Sequence, residues 1–433
     1  MSRPVAWNLL SDNASVGADG WLTIGGCSLH DLAHEFGTAL FVYDEEHLRS
    51  RCREAVRAFP GGAAYATKAF LCRAMARLAL DEGMRLDVAS SGELYVAVAA
   101  GATGADLVFH GNNKSADELH FAREVGATIV VDSFDELDRL DALHADDGIT
   151  PRALVRITPG VEAHTHEFIR TGQADSKFGF GVASGDAAKA IERARSSSSI
   201  AFEGLHLHIG SQVFVADFFH QAIDVVAPFV NEFELDELSI GGGLGVAYVD
   251  GEEAPTITQW ARAVHDACDA AGVRARVTAE PGRAIVASAA LTLYTVGTVK
   301  ELPDIRTYVS VDGGMSDNPR PVLYGSGYEA FLPRAPLAER SRVVRLVGKH
   351  CESGDVLVRE AQVPADLAVG DLLATPVTGA YGHSMGSNYN KILRPAVVFA
   401  AEGDARLVVR REGLADLLSN DVDEPTGSGP SAP

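Results

Sequence analysis

A (β/α)8 barrel followed by an antiparallel β domain is the fold this sequence predicts, on three observations. Eight short apolar runs alternate with helix-like stretches over about 250 residues, the size of such a barrel. Nearly all of those runs end in residues capable of chemistry, and that fold builds its active site at the C-terminal ends of its strands. From Ala290 to about Arg411 the alternation stops and β-branched runs replace it.

The elements follow in order. Residues 1–40 form an N-terminal segment whose Trp21-Leu22-Thr23-Ile24 can supply a strand to the β domain. The barrel is expected over 41–289, with strands at Ala63 to Thr67, Arg85 to Ser90, Asp106 to His110, Thr128 to Asp132, Ala153 to Ile157, Gly204 to Gly210, Leu238 to Gly243 and Arg276 to Arg283. Leu71 to Glu82 and Ala187 to Arg195 read as two of the intervening helices. Runs such as Thr307 to Val311, Val343 to Val347 and Arg406 to Arg410 make 290–415 a β domain. The Pro/Gly-rich, polar stretch 416–433 reads as a disordered tail.

Bulk properties exclude whole classes of function. A chain of 433 residues with 46% hydrophobic content can bury a large core and fills about two domains. Against 59 acidic residues stand 37 basic ones, and the net charge of −22 repels phosphate backbones and anionic lipid. Neither nucleic acid nor membrane is an expected partner; a small molecule is. No run of about 20 apolar residues exists, and the first residues lack the apolar core of a signal peptide, so a cytoplasmic location is expected. Cys27, Cys52, Cys72, Cys268 and Cys351 are scattered, with no Cys-x-x-Cys spacing, which fits reduced thiols without disulfides or zinc.

At the barrel mouth, Lys68 closes the first run. A lysine at a strand end is commonly a rim charge, but desolvation lowers an amine's pKa and lets it form a Schiff base with an aldehyde. Gly241-Gly242-Gly243-Leu244-Gly245 follows the seventh run, where barrels often bind phosphate, because backbone N–H groups can approach an anion where no Cβ intervenes. A tight turn without a ligand explains a lone glycine run equally well. Here Glu280-Pro281-Gly282-Arg283 lies at the adjacent strand end and Ser211 follows the sixth. Lysine plus phosphate cradle implies pyridoxal 5'-phosphate, with His208 available to cover its ring and Glu280 to meet the pyridine nitrogen.

Six segments in order, Tyr65 to Lys68, Asp87 to Glu93, His206 to Gln212, Gly241 to Gly243, Glu280 to Arg283 and Cys351 to Asp355, resemble the pyridoxal-phosphate decarboxylases built on an alanine-racemase-like, fold-type III barrel. Within that group the chain is most similar to the diaminopimelate decarboxylases, over about residues 20 to 415. The resemblance implies that Lys68 holds the cofactor, His208 stacks on its ring and Glu280 pairs with the ring nitrogen. Ser211, Gly243, Gly282, Arg283 and Tyr381 gather round the phosphate, and Asp87 and Arg156 stand behind Lys68. It makes Arg283, Arg320, Tyr324 and Tyr381 substrate ligands, the first three at the distal carboxylate, and gives the distal ammonium to Glu352. Cys351 becomes the proton donor after CO2 leaves, reaching the site of the other subunit in a homodimer with shared active sites.

The expected reaction is decarboxylation of meso-2,6-diaminopimelate to L-lysine, the last step of bacterial lysine synthesis, by a carboxy-lyase. Three alternatives stay open. A decarboxylase of ornithine, arginine or a carboxylated polyamine would lack the carboxylate clamp. A racemase is opposed by Glu280, since a carboxylate keeps the ring nitrogen protonated and the electron sink strong. A non-catalytic cofactor-binding regulator need not keep Lys68, Cys351 and Glu352 together. His164 and His166 resemble metal ligands, but no third ligand accompanies them and no metal is expected. The stretch through Ser176 to Phe180 resembles the family's capping loop, and His383 stands where an aromatic or small residue is more usual.

Overall fold

Eight parallel strands close into a barrel in the computed structural model, which describes residues 4–160, 175–214 and 217–422. They are Ala64–Ala66, Arg85–Val88, Leu107–Phe109, Thr128–Val131, Arg152–Thr158, Ala201–Leu207, Glu237–Ser239 and Arg276–Thr278, paired in chain order. The last returns to the first through a parallel bridge between Ala63 and Ala279, with Ala64 N–H donating to the Ala279 carbonyl at 2.8 Å. The period-two alternation of a strand splits the residues between two cores. Ala64, Val108, Val130 and Leu154 form a small cluster of their own, whereas Tyr65, Leu86, Leu107, Ile129 and Val155 join the large core that includes the helices.

The helices begin where local chemistry starts them. Ser90, Ser115, Ser133 and Thr256 each accept a backbone N–H from the third residue of the helix that follows, satisfying a donor the helix itself cannot. The helices expected at Leu71 to Glu82 and Ala187 to Arg195 are Arg73–Asp81 and Asp186–Ser196.

A second sheet runs in the order Val356–Val363, Arg342–Val347, Arg306–Val311, Ala290–Leu302, Leu40–Asp44, Ala396–Ala401, Asp404–Val409, with Leu372–Pro376 also on Ala290–Leu302. Most pairings are antiparallel; Arg306–Val311 with Arg342–Val347 and Leu40–Asp44 with Ala396–Ala401 are parallel. Two details differ from the expected limits. Leu22–Ile24 joins a separate three-stranded sheet, and packs Leu22 and Ile24 onto the large sheet's core instead of pairing with it. The N-terminal strand that does pair is Leu40–Asp44, which the limit at residue 41 gives almost wholly to the barrel. All five of its residues are buried, so no alternation reveals which sheet it serves. The expected tail starts inside a short 3-10 turn, Leu414–Leu418, and its residues from 423 lie outside the described ones. No helix among the described residues is long and apolar enough to cross a membrane.

Candidate active site

Lys68 sits in a 3-10 turn, Thr67–Ala69, directly after the first barrel strand. Thr67 Oγ1 donates to the Asp87 carbonyl at 2.8 Å, so the turn is tied to the neighbouring strand. The lysine opens onto a cavity of ≈ 430 Å³, also lined by His208, Ser211, Gly243, Glu280, Gly282, Arg283, Arg320, Tyr324 and Tyr381. Residues scattered from 68 to 381 therefore meet in one chamber. Burial alone would depress the amine's pKa; instead it is raised, because Asp87 and Tyr381 outweigh the burial and the opposing Arg156. That corrects the simple desolvation argument. The amine is therefore held as a cation, and Asp87, itself pushed up by burial, is the foremost of the charges that hold it so.

Beneath the cavity lies a carboxylate held on both sides. His206 Nε2 is 3.0 Å from Glu280 Oε2, His110 Nε2 approaches Oε1 at 3.2 Å, and Ser239 Oγ donates to Oε1 at 3.1 Å. Burial works against ionisation of Glu280, yet the two imidazoles hold its pKa well below the usual range. Burial pushes His206 down to about 4, so it is a neutral donor rather than a counter-ion. His110, His206 and Ser239 escaped the sequence reading. The signal for His206 was present in His206-Leu207-His208, whose period of two aims both rings the same way. Among the described residues, His110, His206 and Glu280 are also the group with donor atoms close enough to share a metal ion, all within 4.8 Å. The distances show the alternative, an acid clasped by imidazoles.

His208 follows the sixth strand, and Gly242 N–H donates to its Nδ1 at 3.2 Å. The ring must then be an acceptor at Nδ1, and burial with Lys68 and Arg156 nearby holds its pKa well below 6.5. The glycine run is required by close approach: a Cβ on Gly243, at φ +111°, would stand 2.4 Å from the Gly210 carbonyl oxygen. Opposite it, Arg283 donates through Nη2 to Ser211 Oγ at 2.9 Å, and its guanidinium lies 4.7 Å from the centre of the Tyr381 ring. Its buried Nε has no partner. Tyr381 takes a left-handed φ of +57° and donates its N–H to the Ala69 carbonyl at 2.9 Å, bringing the β domain against the lysine turn. His383 is a packing residue, edge-on to Phe41 and Phe70, each 5.8 Å away.

Arg320, almost fully buried, donates to Tyr328 Oη and Ser326 Oγ, both at 3.2 Å, and stacks at 3.7 Å over the Tyr248 ring. Asp87 and Arg156 lie close enough to Lys68 to influence its charge, with Arg156 3.7 Å from Asp132. Cys351 and Glu352 do not line this cavity. Cys351 is exposed, its N–H donating to Asn390 Oδ1 at 2.9 Å, and Glu352 is exposed beside Tyr389. His164 and His166 lie outside the described residues, whereas Ser176 to Phe180 of the expected capping loop lie within them, with Phe178 under the Arg156 guanidinium at 4.4 Å.

A barrel with a lysine at its mouth, a buried carboxylate and a glycine-lined pocket opening on one cavity defines a class: an enzyme suited to work through a lysine-anchored cofactor. Comparison with known proteins agrees. A family profile described as "Pyridoxal-dependent decarboxylase, pyridoxal binding domain" matches residues 45–287. Diaminopimelate decarboxylase of Mycobacterium tuberculosis H37Rv is 46% identical, over 96% of this chain and 98% of that protein. That of Bacillus subtilis 168 is 44% identical over 94% and 97%. The crystal structure of the M. jannaschii diaminopimelate decarboxylase with L-lysine superposes with a TM-score of 0.89 at 33% identity, covering 96% and 99%. The chain belongs to the pyridoxal-dependent decarboxylases, and among them to the diaminopimelate decarboxylases. The cofactor that family uses fits the residues present: an accessible lysine, an ionised buried carboxylate, a pocket whose glycines admit no Cβ, and a buried Arg283 Nε left without a partner.

Proposed function

We propose that this chain removes one carboxylate of meso-2,6-diaminopimelate as CO2 and leaves L-lysine, the last step of bacterial lysine synthesis. The observation that carries the choice of substrate is that Arg283 and Arg320, both buried, face the lysine's cavity with hydroxyl partners and no carboxylate among the described residues. Desolvated guanidinium groups without an acid favour a ligand that brings one.

Pyridoxal phosphate, attached at Lys68, supplies the electron sink that accepts the pair left by departing CO2. Glu280 holds the ring nitrogen's proton, steadied by His206, His110 and Ser239. Neutral His208 covers the ring face without adding a charge that would oppose the cationic sink. Ser211, Gly243, Gly282, Arg283 and Tyr381 bind the phosphate. Arg320, Tyr324 and Arg283 grip the distal carboxylate, with Tyr381 at the substrate's edge. Cys351, exposed and outside the cavity, serves the site of a second copy as proton donor, and Glu352 beside it takes the distal ammonium. The working unit is then a homodimer with shared sites, in the cytoplasm.

The test is kcat/KM for diaminopimelate, lysine, ornithine and arginine side by side. A site that leaves the buried Arg320 without an anion when the wrong substrate binds should discriminate by about 10⁴ in favour of diaminopimelate. Arg320→Ala should cost about 2–4 kcal/mol in kcat/KM while leaving the bound cofactor's absorbance intact. Should ornithine, arginine or lysine equal diaminopimelate, Arg320 is no carboxylate clamp and an ornithine- or arginine-type decarboxylase replaces this reading.

A further inference from the structure

Adjacent residues in the β domain treat two buried arginines in opposite ways. Glu329 gives Arg340 a carboxylate at 2.6 Å, the usual arrangement for a desolvated guanidinium. Tyr328 gives Arg320 only a neutral hydroxyl at 3.2 Å. A second tyrosine completes the pattern. Tyr248 presents its ring to Arg320 at 3.7 Å and accepts a hydrogen bond from Arg283 Nη1 at 2.5 Å, so one side chain touches both cations. Tyr248 and Tyr328 are each 3% exposed, lie edge to face with ring centres 5.7 Å apart, and stand behind the arginines without lining the cavity. Tyr248 is in turn fixed by its own N–H, which donates to Glu252 Oε2 at 2.8 Å.

We propose that Tyr248 and Tyr328 are the positioning residues of the carboxylate clamp, holding Arg283 and Arg320 by ring faces and hydroxyls so that no carboxylate of the protein itself occupies the clamp before substrate arrives. A carboxylate in either place would hold the arginines equally well, but would satisfy their charge and compete with the substrate's own carboxylate. A ring face attracts a cation through its quadrupole and leaves the net charge unchanged. The inference rests on the reading of Arg320 and Arg283 as the distal-carboxylate site.

The test uses the cofactor-loaded enzyme with Tyr248→Phe, Tyr328→Phe and Tyr248→Leu. KM for diaminopimelate should rise about threefold in each phenylalanine variant and about tenfold in Tyr248→Leu, with kcat within about twofold and the cofactor's absorbance unchanged. Product lysine keeps the distal carboxylate, so its inhibition constant should rise in parallel; that of cadaverine, a diamine with no carboxylate, should not move. A packing role alone would lower thermal stability or kcat without separating the carboxylate ligand from the diamine. If the phenylalanine variants, folded and with normal absorbance, keep wild-type KM and lysine inhibition while Arg320→Ala loses both, the tyrosine assignment is overturned and the clamp stands. If Arg320→Ala itself leaves the preference for diaminopimelate intact, the clamp reading falls and the tyrosines with it. Should Tyr248→Leu fail to fold, the two phenylalanine variants carry the decision.

Discussion

Lys68 shows how one residue's chemistry depends on charges that its local sequence does not contain. Desolvation by the surrounding barrel should make it lose its proton easily, although it opens into the cavity, but Asp87 from the next strand and Tyr381 from the β domain reverse that direction. The amine becomes reactive by position rather than by a low pKa. Borohydride reduction of the cofactor-loaded enzyme should therefore fix the cofactor on Lys68, and peptide mapping reads the result. An adduct on any other lysine would refute the anchor. The neighbouring Glu280 obeys the same rule in the other direction, since two imidazoles from the third and sixth strands overcome its burial.

Two loops carry most of the element-scale consequences. The glycine run after the seventh strand has no room for a side chain, because Gly243 would set a Cβ 2.4 Å from a backbone oxygen at a φ that favours glycine. Gly243→Ala should leave the barrel folded but weaken cofactor binding at least about tenfold, measured by absorbance titration. The loop before Arg320 holds Asp317, 2% exposed. Burial, opposed by one N–H from Gly314 and reinforced by Asp312 and Asp355, raises its carboxyl to about 7. The native state thus binds a proton that the unfolded chain releases near pH 4, so this group's relative stabilisation is full below about pH 4 and is lost as pH rises through about 7. Asp317→Asn should raise the unfolding free energy by about 2–4 kcal/mol at pH 8 and by little at pH 4, read from denaturant titrations at both. A gain that does not vanish in acid would remove the burial explanation.

At the scale of the whole molecule, the proposed anchor Lys68 and the proposed proton donor Cys351 stand on different domains and do not line the same cavity within one chain. Lys68 opens into the cavity, whereas Cys351 lies outside it on an exposed segment. That segment is stiff at its base. Buried Asp355 accepts His350 N–H at 2.9 Å and Met315 N–H at 2.7 Å, which ties it to the loop leading to Arg320. A rigid, exposed presentation suits delivery to a second copy. Mixing inactive Lys68→Ala with inactive Cys351→Ala subunits should restore activity, because one site of each hybrid dimer has both residues. Subunits shown to exchange that stay inactive would rule out shared sites.

The sequence by itself determined the barrel, since eight strands with intervening amphipathic helices are a local, periodic signal that needs no knowledge of partners. It also determined the cofactor chemistry, because Lys68, His208, Gly243 and Glu280 sit at strand ends that the fold is bound to gather. Partnership across long separations was not legible. The fully buried Leu40–Asp44 carries no alternation to say that it pairs with Ala290–Leu302, and the two parallel pairings of the β domain leave no mark in composition. Nor could the pattern reveal that His110 and His206 clasp Glu280, or that Tyr248 and Tyr328 hold two unpaired arginines. Those side chains look like ordinary core residues in the sequence. Only tertiary packing decides whether a buried imidazole or phenol faces apolar neighbours or a charge, because the distances that set its electrostatics are fixed by elements far apart in the chain.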